Sequence, residues 1–351
     1  MQRIFGLLLC LLLFYSPAYA HDLAKPIARA MPAVVYIQVD NHVVRESVNP
    51  TTKELSLVRI PNRPIIGTGF IIDGNNVVTN HHVISFAIDN NTDIKVSFKG
   101  NKQKYKAKIL GYDKVADIAL LEIEGDHPSV KICGCDDAHA GDTVFSISHF
   151  YGIGWSATQG TVSSNQRKDV RYPYINNLQL QLLQGSGSSG GPVFNTDGEV
   201  IALNRSIVSM FPRSITSVTR SQSMLSMVGY PIRGDTLAKS IASIREELIV
   251  VYVDLGVSLT EFGEDSVFHI NYSAGLPDYP YGTMVMSVDD PKKSLLKEAD
   301  IIMDIDGKAF NHPVDLLLWL QNYDAGDIVN IQVYRNGEII NIAVELTLAG
   351  L

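Results

Sequence analysis

The stretch QGSGSSGGPVFNTDGEVIALN (184–204) governs the reading of the whole chain. Its first nine residues hold three serines and four glycines, a composition shared by flexible linkers and by loops built around one reactive serine. The residues after them argue against a linker. PVF and GEVIALN are short apolar runs separated by the turn signal NTDG (195–198), which predicts a β-hairpin directly after the glycine-rich segment. LQLQLL (178–183) precedes it as another strand, so the serines sit in a loop tightly bracketed by strands.

Outward from that loop the same texture continues. AVVYIQV (33–39), GTGFIID (67–73), NVVTN (76–80), DIKVSF (93–98), AKILGYD (107–113), DIALLEI (117–123), TVFSIS (143–148) and ATQGTVSS (157–164) are β-rich runs punctuated by turns. No long helical period separates them, which favours antiparallel barrels over βαβ units. The stretch 41–63 reads as a polar surface loop or hairpin. The period changes at DTLAKSIASIREEL (235–248), where Leu237, Ile241, Ile244 and Leu248 predict a helix with Asp235 available as its N-cap. A second β-rich unit comes next, with one amphipathic helix at 313–323 and an Asn-Gly hairpin at 336–337. A boundary near residue 249 is expected, leaving about a hundred residues for the second unit.

Composition narrows the function. At 351 residues, 46% hydrophobic and 19% charged, the chain is that of an ordinary globular protein, and a formal charge of −8 argues against nucleic acid as a partner. At the N-terminus, Arg3 precedes an apolar run from Ile4 to Phe14, then Pro17 and Ala18-Tyr19-Ala20. This is the pattern of a secretory signal cleaved after Ala20, too short to span a bilayer. Export implies an oxidising compartment, yet beyond that segment only Cys133 and Cys135 remain, so disulfides are not expected to organise the fold. His127 and His139 flank the pair without a recognised ligand spacing, and no metal or cofactor is expected.

A serine nucleophile needs a base, and the base needs an acid to hold its tautomer. TNHHVI (79–84) and GYDKVADIALLEI (111–123) offer a histidine and an aspartate beside strands. Taken together and in this order, GTGFIID–NVVTNHHVI, DIALLEI and GSGSSGGPVFN–GEVIALN resemble the trypsin-like serine peptidases of the HtrA/Deg family, from about Met31 to the C-terminus. The resemblance implies a mainly β fold: a signal peptide (1–20), a protease domain of two six-stranded β-barrels (21–248) and a PDZ domain (249–351). It places the base on His82, with His81 where the family has Asn, the orienting acid on Asp117 and the nucleophile on Ser189, with Ser188 in place of Asn. The oxyanion hole falls to the N–H groups of Gly187 and Ser189. Leu183 and Gln184 approach the primary specificity pocket and Arg205 could add selectivity; with no acid at its base, small or medium apolar side chains are expected there.

The C-terminal match is carried by ADIIMDIDGKAF (299–310) and AGDIVNIQVYRNGEIINIAVEL (325–346). YVDLGV (252–257) would be the loop where Leu255, Gly256 and Val257 receive a peptide's C-terminus, although Asp254 is an unfavourable neighbour for a carboxylate. By resemblance the protein is an exported, periplasmic endopeptidase acting on unfolded or damaged envelope proteins, or on one regulatory substrate. The resemblance also implies a homotrimer and C-terminal peptides as PDZ partners. Two alternatives stay open: a chaperone-like adaptor with a misassembled resting site, and a membrane-tethered stress sensor.

Overall fold

The computed structural model describes residues 22–48, 55–133, 138–150, 154–167, 174–207, 226–248, 250–262, 282–291 and 294–349. The signal segment, and with it the cleavage expected after Ala20, lies outside these residues.

A short helix, α1 (Ala24–Ala30), leads into the first barrel. Its strands are β1 (Val34–Val48), β2 (Leu55–Ile72), β3 (Asn76–Thr79), β4 (Ile94–Phe98), β5 (Lys104–Asp113) and β6 (Ile118–Glu122), closed in the order β1-β2-β3-β6-β5-β4. Closure arises from alternation: Val35, Ile37 and Val39 of β1 point inward against Ile71, Val77, Val96 and Leu121, all buried. Of the loop and the hairpin left open for 41–63, the structure has the hairpin: residues 41–48 and 55–63 form the outer half of β1–β2, paired from Asn41↔Asn62 to Val48↔Leu55. Pairing through the backbone requires no apolar face, which is why polar composition left both readings open.

The second barrel comprises β7 (Thr143–Phe150), β8 (Gly154–Arg167), β9 (Asn177–Gln184), β10 (Pro192–Phe194), β11 (Val200–Ile207) and β12 (Ser226–Arg233), closed as β10-β11-β12-β9-β8-β7. Two six-stranded barrels are therefore present, as the motifs implied. The core between them is dominated by Phe70, Leu120, Phe145, Phe194 and Leu203, with the Phe145 and Phe194 rings stacked 4.8 Å apart. A site at that seam draws on both barrels.

Some elements went unread in the sequence, α1 and β12 among them, and one of these lies at the candidate site. Helix α2 (His81–Asn90) comes directly after β3, burying Val83, Ile84 and Ala87 and ending at Asn91 in the left-handed conformation (φ 49°). HHVISFAIDN is rich in residues that favour strands, and three turns are too few for periodicity to declare itself. Helix α3 (Gly234–Glu247) forms where its spacing predicted, with Leu237, Ile241 and Ile244 buried. Two details differ. Asp235 is not the N-cap; Arg233 holds that position, and Asp235 lies in the first turn accepting from Arg233 Nε at 3.0 Å. Leu248 is the exposed C-cap, at positive φ (65°), and its carbonyl accepts the Tyr112 N–H at 2.9 Å, so backbone pairing displaced side-chain burial there.

Asp113, buried at the end of β5, joins α3 to the chain beyond it. Its carboxylate accepts the Ala116 N–H (2.7 Å), the Tyr252 hydroxyl (2.7 Å) and the Ser240 hydroxyl. Burial raises its pKa against the pull of those hydrogen bonds. Cys133 is disulfide-bonded, and the chain's other cysteines, Cys10 and Cys135, lie outside the described residues.

The C-terminal unit has its own core around Ile302, Ile305, Leu316, Leu320, Ile331 and Val333. A ribbon of β13 (Val253–Asp254) and β20 (Thr347–Leu348) accompanies a sheet of β14 (Val257–Phe262), β15 (Gly282–Val288), β16 (Ile301–Ile305), β18 (Ile328–Arg335) and β19 (Glu338–Glu345), with β17 (Lys308–Ala309) on β16. Helix α4 (Pro313–Leu320) is capped by His312, whose Nδ1 accepts the Val314 N–H at 3.1 Å. Asn336 (φ 51°) and Gly337 (φ 93°) form the predicted two-residue turn between β18 and β19; positive φ at both positions matches strand twist.

Candidate active site

The loop holding the candidate nucleophile, Ser189, is a shaped turn rather than a flexible one. Ser188 N–H donates to the Gly185 carbonyl at 3.0 Å, closing a four-residue turn whose third residue, Gly187, has φ 89°. That is the type II pattern, which requires a residue tolerant of positive φ at its third position. Ser188 is buried, and its hydroxyl also donates to the Gly185 carbonyl at 2.6 Å, so the serine in place of Asn tightens the turn from within. Ser186 is exposed at the tip and Ser189 half-buried behind it. Among the described residues, neither Gly187 N–H nor Ser189 N–H is spent on a hydrogen bond.

Thr68, from the first barrel, holds this turn in place. Its N–H donates to the Ser189 carbonyl (2.8 Å) and its hydroxyl to the Gly187 carbonyl (2.6 Å), while the same hydroxyl accepts the His149 N–H (2.9 Å). The Thr79 hydroxyl donates to the Thr68 carbonyl at 2.8 Å. Gly190 comes next with φ 79°, and a Cβ there would lie 2.2 Å from both Thr68 O and Thr79 Oγ1 and 3.2 Å from Asn80 N. The nucleophile turn thus packs on the Thr79–Asn80 junction that launches α2. Gly190→Ala adds left-handed strain of about 1–2 kcal/mol to overpacking of about 1–3 kcal/mol. A lowered urea midpoint with loss of activity is expected, and a wild-type midpoint would show the cradle to be looser than this.

His82 is the second residue of α2, and Asp117 reaches it twice. Asp117 Oδ1 accepts the His82 backbone N–H and Oδ2 accepts from His82 Nδ1, each at 2.8 Å. The first contact satisfies a helix-start amide that Asn80 does not, since the Asn80 side chain donates instead to the Asp117 carbonyl at 2.9 Å. The second puts the ring proton on Nδ1 and leaves Nε2 as the free base. Asp117 is 6% exposed and adopts φ 61°, a conformation that Asp accepts more readily than most residues. His82 keeps about half its side chain exposed. His81 turns to Tyr112, ring centroids 4.9 Å apart, and burial lowers its pKa. The two adjacent histidines therefore occupy different environments.

The pocket residues separate. Alternation along β9 sends Leu183 outward (38% exposed) and Gln184 inward (1%). Gln184 Nε2 donates to Asn204 Oδ1 at 2.7 Å, Asn204 Nδ2 donates to Ser146 Oγ at 2.8 Å, and the Gln184 amide covers Gly229, whose Cβ would lie 2.6–2.8 Å from it. Arg205, 6% exposed, donates from Nη2 to Asn177 Oδ1 at 2.6 Å. Asn204, Gly229, Ser146 and Thr68 were not singled out in the sequence; only a fold can bring β2, β7, β11 and β12 to one place.

Residues 67–203 match the trypsin-like peptidase domain and residues 253–346 the PDZ domain. A probable periplasmic serine endoprotease of DegP-like type from Marinomonas sp. (strain MWYL1) is 30% identical over 351 residues, covering 93% of this chain and 71% of its own. A DegP-like relative from Rickettsia conorii is 27% identical, covering 95% and 67%. Among solved structures, the HtrA-type protease AlgW with decapeptide superposes with a TM-score of 0.72 at 22% identity, covering 94% of this chain and 99% of that one. The serine endoprotease from Yersinia pestis gives 0.64 at 21%, covering 94% and 98%.

Proposed function

This chain belongs to the HtrA/Deg family of serine endoproteases, and on that ground we propose a Ser189–His82–Asp117 triad as its catalytic machinery. The chain is a serine endopeptidase of HtrA type with a trypsin-like peptidase domain and a PDZ domain. We assign 21–248 to the first and 249–351 to the second.

In this reading Ser189 Oγ attacks the scissile carbonyl while His82 Nε2 takes its proton and later delivers it to the leaving amine. Asp117 holds the tautomer and stabilises the imidazolium. Gly187 and Ser189 N–H groups receive the oxyanion, each such donor being worth about 10²–10³ in rate. The observation that carries the proposal is the double hydrogen bond of Asp117 to His82, on the helix whose first turn abuts the Ser189 loop. Gln184, lying inward over Gly229, narrows the pocket and favours small or medium P1 side chains, with Leu183 and Arg205 at its margins.

The PDZ domain fits peptide binding, and the family resemblance extends the reading to unfolded or damaged envelope proteins as substrates and to a homotrimer. Relatives named as periplasmic, together with the N-terminal signal pattern, support export with cleavage after Ala20.

A fluorophosphonate probe tests the triad without a natural substrate. Labelling is expected on Ser189, retained in His81→Asn and lost in His82→Asn, read by peptide mapping. Equal loss in the two variants would remove His82 from the role of base.

A further inference from the structure

The proposed peptide-receiving loop, 252–257, leads into β14. Among the described residues β14 is an edge strand, pairing with β15 on one side and leaving its other edge open beside α4. Such an edge offers backbone N–H and C=O groups to an added extended segment. At the loop end, Gly256 is left-handed (φ 64°), a geometry that turns successive amides toward one concavity and binds anions.

That concavity already holds an anion from this chain. Asp254 Oδ1 accepts the Gly256 N–H at 2.7 Å and the Thr347 hydroxyl at 3.2 Å, and Oδ2 accepts the Tyr174 hydroxyl at 2.9 Å. The donors come from three separate segments, one of them in the peptidase unit. Asp254 is 8% exposed and paired within the β13–β20 ribbon. Its neighbour Val253 is clamped by the Gln321 amide, which accepts from Val253 N (3.0 Å) and donates to Val253 O (2.8 Å). Swinging Asp254 aside breaks all three hydrogen bonds at once, two of them to the partly buried Gly256 and Tyr174. A peptide's terminal carboxylate would meet a like charge at close range and find the Gly256 N–H taken.

We propose that Asp254 closes this loop to free C-terminal carboxylates, so that the β14 groove takes extended segments without one, the internal stretches of a polypeptide. The proposal rests on the peptide-binding reading of the PDZ domain. It departs from the role the sequence suggested for Leu255, Gly256 and Val257.

The test uses the full chain carrying Ser189→Ala, so that nothing is cleaved, with Asp254→Ala and Asp254→Asn added separately. A synthetic pool of random decapeptides is prepared once as free acids and once as C-terminal amides. Captured members are identified by mass spectrometry and titrated by fluorescence anisotropy. The Asp254 parent is expected to prefer amides at least tenfold. Asp254→Ala should gain at least tenfold in affinity for acids. Asp254→Asn keeps an acceptor for Gly256 but removes the charge, and should fall between, which also guards against misfolding of the Ala variant. Preference of the parent for acids, or no gain in either variant, would overturn the proposal. Capture of neither form by any variant would instead remove the peptide-binding reading, and this proposal with it.

Discussion

Replacing Ser189 with Ala is expected to reduce casein hydrolysis by about 10⁶-fold in kcat, the scale seen when a triad serine is removed. The physical reason is the loss of the covalent route: with no Oγ, water must attack a carbonyl polarised only by the Gly187 and Ser189 N–H groups. The fold should be unaffected, because the interactions placing this residue are made by the backbone: its carbonyl accepts from Thr68 N, and Gly190 after it fits closely against Thr68 and Thr79. Unfolded casein should still bind. Matching Ser188→Ala and Ser186→Ala variants sharpen the result. Ser186 is exposed and its loss should change little, whereas Ser188→Ala removes a 2.6 Å bond inside the turn and should lower activity without abolishing it. Wild-type hydrolysis by Ser189→Ala would overturn the assignment of the nucleophile.

Asp117→Asn comes next in size, with an expected fall of about 10⁴ in kcat and KM little changed. Both Asp117 oxygens are acceptors in use, one for the His82 backbone N–H and one for Nδ1. Asn offers one acceptor and one donor. If its oxygen keeps the backbone N–H, its amide faces Nδ1 and forces the proton onto Nε2, the nitrogen that must accept from serine. If it flips, the start of α2 loses its cap, at about 1 kcal/mol. Steady-state kinetics on a peptide substrate and a thermal melt separate these outcomes. A change in KM alone would place Asp117 in substrate binding rather than in orienting His82.

Much of the architecture was legible in the chain. β-rich runs punctuated by turns marked the barrel strands, and NTDG and the Asn-Gly pair marked hairpins because their backbone requirements are local. The residues proposed as the triad were expected through motif resemblance: Ser189 in its glycine-rich loop, where Gly187 and Gly190 have positive φ, His82 in TNHHVI and Asp117 directly before a strand. Helix α2 escaped, since its stability comes from Val83, Ile84 and Ala87 packing into the barrel and from the distant carboxylate of Asp117. The outer arm of the β1–β2 hairpin was legible only as one of two alternatives, because its pairing is backbone to backbone and leaves little trace in composition. Leu183 and Gln184 were grouped in the pocket by their position in the chain; strand alternation divides them.

Residue order alone was enough for the two-barrel class and the second unit, and for expecting Ser189 among three serines and His82 over His81. The choice of Ser189 and His82 came from the resemblance of their motifs to the HtrA/Deg family, and the β-rich texture from local strand and turn signals. Three-dimensional packing was needed to show that Thr68 holds the nucleophile turn, that Gln184 bonds Asn204 over Gly229, and that Asp254 fills its own loop with help from Tyr174. Thr68 and Tyr174 lie far along the chain from the loops they secure, and Gly229 lies far from the amide that covers it. Such partners are chosen by barrel closure and by the docking of one unit on the other, which no local pattern encodes.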